Sequence, residues 1–153
     1  MDLRERIQTA TKEAMKARDQ QRLSTLRLIG AAIKDREIAQ RGEDGAGALS
    51  HDDLVALLSR MVKQRQESAR AYEEGGRLEL AEREQAEIGI IQEFLPRQLS
   101  AEEVETAIAA VIADIGATGV RDMGRVMGAL RERHAGQMDF GAAGALVKAR
   151  LMG

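Results

Sequence analysis

The chain has 153 residues, a formal net charge of −2, 44% hydrophobic residues and no cysteine. Those values describe one average domain or two small ones with a buried core, and they exclude disulfides and thiolate metal sites. A near-neutral charge argues against a protein that coats nucleic acid nonspecifically. Aromatics supply only 2% of the residues and proline appears once, at Pro96. A core must then come from Leu, Ile, Val, Met and Ala, which suits close-packed helices better than sheets. The fold class expected is all-α.

Met1-Asp2-Leu3-Arg4-Glu5-Arg6 is charged from its second residue and has no apolar run behind it, so it is not a secretory signal. No stretch reaches the roughly 18 apolar residues that cross a bilayer. These features predict a cytoplasmic location. Leu3, Ile7, Ala10 and Ala14 then recur at helical spacing, giving a first helix that ends near Arg18-Asp19. A second carries Leu23, Leu26, Ile29 (or Gly30) and Ile33 and runs to about Gln40. Residues 41–47, with Gly42, Gly45 and Gly47, lack periodicity and read as a mobile loop.

Ser50 is placed to cap a third helix, with Asp53 in its first turn. Leu54, Leu57, Leu58, Met61, Arg65, Ala69 and Tyr72 line one face of it, and Gly75-Gly76 breaks it. A fourth helix has Leu80 or Ala81, Glu84, Ile88, Ile91 and Leu95 on one face, and Pro96 stops it. Ser100 and Glu103 form a capping box that opens a fifth, with Val104, Ala107, Ile108, Val111 and Ile115, closed by Gly116. Asp122 is expected to cap a short sixth helix (Met123, Val126, Met127, Leu130) ending around Gly136. Asp139 is expected to cap a seventh with Ala142 or Ala143, Leu146, Val147 and Arg150. Helices are long before Pro96 and short after it, which divides the chain into an N-terminal helical domain, 1–96, and a small C-terminal one, 97–153.

Charge is uneven along the chain. Residues 12–41 carry eight Lys/Arg against four Asp/Glu. Residues 60–70 hold Arg60, Lys63, Arg65 and Arg70 against Glu67, whereas 71–94 have two basic and seven acidic residues. Residues 121–150 are again basic, six against three. Such alternation describes either a solvated surface with pairing between helices or a basic patch assembled in three dimensions.

Catalytic patterns are absent from the sequence. Nucleophilic catalysis needs a nucleophile, a base and an orienting group, yet the two histidines, His51 and His134, are far apart and each reads as a helix-end residue. No metal-ligand spacing of the His-x-x-x-His or Glu-x-x-His kind occurs. Glu84 and Glu87 read as salt-bridge partners for an adjacent helix. No cofactor and no metal are implied. Gly124 and Gly128, four apart inside the sixth helix, each cost roughly 1 kcal/mol relative to alanine. Their compensation is a close approach, by a crossing helix or by a nucleic-acid backbone drawn to Arg121, Arg125, Arg131 and Arg133.

Several segments together resemble one family. Lys63-Gln64-Arg65-Gln66-Glu67-Ser68, Tyr72, Gly75-Gly76-Arg77 and Leu80-Ala81 are similar to the N-terminal half of the YqeY family. So are Glu84, Glu87-Ile88, Ile91 and Phe94-Leu95-Pro96-Arg97-Gln98-Leu99-Ser100. Asp122-Met123-Gly124-Arg125-Val126-Met127-Gly128 resembles its second hallmark, and Lys16-Ala17-Arg18-Asp19 with Leu26-Arg27 extends the likeness towards the N-terminus. The resemblance implies kinship with the C-terminal tail of the B subunit (GatB) of tRNA-dependent amidotransferases, carbon–nitrogen ligases that use glutamine as amide donor. It implies a tRNA-gripping tail rather than the catalytic parts of such an enzyme. With so few aromatics there is no base-stacking platform, so RNA contacts would go to phosphates and 2′-hydroxyls of a folded tRNA. Arg121, Arg125, Arg131 and Arg133 are the first candidates, with Arg121, Arg125 and Arg133 loosely on one side of a helix, and Lys63, Arg65 and Arg70 are the second. The alternative is a helical protein–protein adaptor without RNA binding.

Overall fold

The computed structural model describes residues 1–44 and 48–153, with the side chains of 41–44 outside the described set. Within it are seven α-helices and no strand, so the all-α expectation holds. The chain forms two compact units, Met1–Leu95 and Pro96–Gly153.

The first unit contains α1 (Leu3–Ala17), α2 (Gln20–Asp44), α3 (His51–Glu74) and α4 (Leu78–Gln92). Asp2 caps α1 through the Glu5 amide, and Arg18 ends it in the left-handed region at φ 56°. The apolar stripes read from the sequence meet in one core. Leu3 and Ile7 of α1, Leu26 and Ile29 of α2, Leu58 of α3 and Ile91 of α4 are all buried. Each such side chain contributes about 1.5–3 kcal/mol on leaving water. Phe94 joins this core, and Arg6 stacks over its ring at 5.6 Å while donating to the Glu93 carbonyl.

One boundary differs from expectation, and another gains a detail. α2 continues through Asp44 rather than stopping near Gln40. The rest of the expected mobile loop, residues 45–47, lies outside the described residues. At the start of α3, Asp53 does more than favour the dipole: its carboxylate accepts from the Ser50 amide while Ser50 Oγ accepts from Asp53, a full capping box.

The second unit contains α5 (Ala101–Ile115), a 3-10 turn (Val120–Asp122), α6 (Met123–Arg133) and α7 (Phe140–Met152). Ile108, Val111, Val126, Leu130 and Val147 form its core. Gly116 closes α5 at φ 72°, and Asp139 caps α7 by accepting from the Gly141 and Ala142 amides. Leu146, expected on the inner face of α7, is exposed, and Ala143 and Val147 take that face instead.

The Pro96–Ser100 segment is tied down by its own side chains. Gln98 Nε2 donates to the Gly136 carbonyl at 2.6 Å, the Leu99 amide to the Gln137 carbonyl at 2.9 Å, and Gln137 Nε2 to the Arg97 carbonyl at 3.1 Å. Arg97 grips Glu103 with both terminal nitrogens, at 2.9 and 2.8 Å. Arg97, helped by the Ser100 amide, holds the Glu103 carboxyl down at about 2.

Candidate nucleic-acid interface

The surface that answers the two interior glycines is the outer face of α6. Its inner face is fixed by Val126, Met127 and Leu130, all buried. At 3.6 residues per turn, Gly124 and Gly128 share the opposite side. Both are exposed, and a Cβ built on either meets nothing within 4 Å. Among the described residues of the C-terminal unit, no helix crosses over these two glycines. Main chain lies bare along this face of the helix.

Asp122 sets the approach to that strip. It does not cap α6 with its side chain, as the sequence led one to expect. Its Oδ2 turns back to accept from the Thr118 amide at 2.9 Å and the Gly119 amide at 3.4 Å, clamping the turn before the helix. Those amides, with Arg125 nearby, lower the Asp122 pKa. The other oxygen meets Arg125 Nη1 at 3.3 Å, and Arg125 Nη2 reaches the Ile115 carbonyl at 3.4 Å. Arg125 nevertheless keeps 63% of its side chain exposed. Arg121 sits in the 3-10 turn, exposed and without an ion pair among the described residues.

The other two arginines are held differently. The Arg131 guanidinium lies 5.8 Å from the centre of the Phe140 ring, a cation–π contact the sequence did not reveal. Arg133, five residues past Gly128 and so on another side of α6, pairs with Asp114 of α5 at 2.8 Å. The shared side expected for Arg121, Arg125 and Arg133 thus reduces to Arg121 and Arg125. Glu132, one turn beyond Gly128, places a carboxylate at the far end.

The second group lies in the other unit and does not act together. Arg65 Nε donates to Glu87 of α4 at 2.9 Å, with both side chains largely buried, and Arg65 Nη1 also donates to the Met61 carbonyl. This pair fastens α3 to α4, matching the salt-bridge reading of Glu87. Lys63 and Arg70 are exposed on a different side of α3, seven residues apart on one face. Among the described residues, no three His, Cys, Asp or Glu side chains converge as metal ligands, and no helix is long and apolar enough to cross a membrane.

The profile of the Yqey-like protein family matches residues 4–151. The chain is 36% identical over 94 residues to Altered inheritance of mitochondria protein 41, mitochondrial, of Lachancea thermotolerans, covering 61% of this chain and 48% of that protein. It is 33% identical over 109 residues to the protein of the same name from Eremothecium gossypii, covering 70% and 57%. The Clavispora lusitaniae protein of that name is 39% identical over 84 residues, covering 55% and 46%. The matches thus span about half the length of these relatives. Their names place them in mitochondria, which overturns the expectation of a cytoplasmic location. With all but the first three and last two residues matched, this chain belongs to the Yqey-like protein family.

Proposed function

We propose that the chain is a non-catalytic RNA-binding module whose α6 face rests on the sugar–phosphate backbone of a folded RNA such as tRNA. The observation that carries this reading is the pair of bare glycines, Gly124 and Gly128, beside the exposed Arg121 and Arg125. Bare main chain lets a ribose–phosphate strand approach closely, and arginine forks fit phosphate oxygens. Arg131, steadied by Phe140, flanks the strip, and Arg133 is secondary because Asp114 already neutralises it. Lys63 and Arg70 would belong to a separate contact, and Arg65 to none. In this reading the glutamine-dependent carbon–nitrogen ligase chemistry attached to the family resemblance is done by a partner amidotransferase, for which this chain holds tRNA.

The test is binding of the purified chain to total tRNA and to duplex DNA across a salt series. Preferential, salt-sensitive tRNA binding is expected, and the Arg121→Glu/Arg125→Glu variant should lose at least tenfold in affinity. Its slope of log affinity against log salt should fall by about 1–2. Equal, feeble binding to both nucleic acids, or tRNA binding indifferent to the charge reversal, would refute the proposal.

A further inference from the structure

The basic excess of residues 12–41 belongs to the N-terminal unit, and the structure gives part of it a place of its own. A cleft of about 620 Å³ opens between α1 and α2. Ile7, Leu26 and Ile33 form its apolar floor. Lys12 stands on the α1 wall and Arg27 on the α2 wall, both exposed and neither in an ion pair among the described residues. Arg4 also lines the cleft, but Glu37 neutralises it. Gly30 leaves a gap in the α2 wall, since a Cβ there meets nothing within 4 Å. A glycine inside a helix costs about 1 kcal/mol relative to alanine, and no close packing among the described residues of the N-terminal unit offsets it.

We propose that this cleft docks an acidic amphipathic helix of a partner protein. A leucine-sized side chain would sit over Gly30, with Asp or Glu on its flanks meeting Lys12 and Arg27. The lining runs from Arg4 to Lys12 on α1 and from Leu26 to Ile33 on α2. At 1.5 Å per residue each wall is about 10–12 Å long, matching roughly two turns of a docked helix. Helix-in-groove recognition needs this arrangement of apolar floor and charged rims, and opposite charge on the partner sets its choice. A nucleic acid suits the cleft less well, because the floor is aliphatic and offers no ring for a base to stack on.

The probe is a labelled 18-residue helical peptide with leucine at alternating third and fourth positions and glutamate beside them. Versions with lysine or glutamine in place of glutamate serve as controls, and the full chain is used throughout. The glutamate peptide should bind, the other two at least tenfold more weakly. Lys12→Glu/Arg27→Glu should weaken glutamate-peptide binding at least tenfold, and Gly30→Met should block it while circular dichroism shows an intact fold. The surface double variant keeps the test decisive should the methionine disturb folding. Arg121→Glu/Arg125→Glu should leave peptide binding unchanged, which separates this inference from the RNA reading. Equal binding of the three peptides, or indifference to the charge reversal, would overturn it. Self-association or tRNA binding abolished by Lys12→Glu/Arg27→Glu, without peptide binding, would overturn it too, assigning the cleft to a second copy or to RNA.

Discussion

Replacing Gly128 with alanine should make the protein more stable and worse at holding RNA. Gly128 is the sixth residue of α6, its φ is not positive, and the added methyl meets nothing within 4 Å. No clash opposes the intrinsic helix preference, so the gain is about 1 kcal/mol. Gly124 is only the second residue of α6, where the amide has no partner in the helix in any case. Its alanine variant should gain about half as much. For a unit as small as residues 96–153, 1 kcal/mol corresponds to a rise of about 4–8 °C in melting temperature. Scanning calorimetry would follow the transition, and tRNA titration would follow affinity. The two methyl groups together hold a ribose–phosphate strand off the helix, so affinity should fall several-fold as stability rises. A lowered melting temperature would show that the strip is not open. A raised one with unchanged affinity would show that the glycines serve something other than a backbone.

Three further outcomes follow from the same structure. Glu87→Gln leaves Arg65 without its charged partner in a largely buried setting, and should cost about 1–2 kcal/mol by urea unfolding while tRNA affinity stays unchanged. Glu103 has its carboxyl lowered from 4.5 to about 2, so its stabilising contribution is complete above the ordinary value and is lost as pH falls towards 2. Melting of the C-terminal unit between pH 5 and 2 should show this loss, and Arg97→Ala should flatten it. Arg18 sits in the left-handed region at the end of α1, so Arg18→Gly should stabilise the N-terminal unit by about 0.5–1 kcal/mol in the same unfolding assay.

Much of the helical layout was legible because burial follows period. Leu3, Ile7, Ala10 and Ala14 announce their face by spacing alone, and Ser100 with Glu103 announces a helix start by local chemistry. Where side chains reach across sequence, the signal fails. Asp122 looks like a helix cap, and only the turn at Thr118–Gly119 shows why its carboxylate faces backwards. Gly124 and Gly128 mark a close approach in sequence, but whether a neighbouring helix fills it is a question of packing. Arg65 and Arg125 look alike as basic residues, and their separation into a buried tie and an exposed fork depends on partners 22 and three residues away. The cleft beside Gly30 was invisible, since it is a space between two helices rather than a property of either.

The fastening of Gln98, Leu99 and Gln137 has a consequence for modularity. The first residues of the C-terminal unit spend their hydrogen bonds on carbonyls and amides of that same unit, with two glutamine side chains as the ties. Those bonds ask nothing of whatever chain precedes Pro96. A cassette sealed at its own threshold in this way can be spliced behind unrelated sequences with its hydrogen-bonded frame intact, provided Gln98 and Gln137 travel with it.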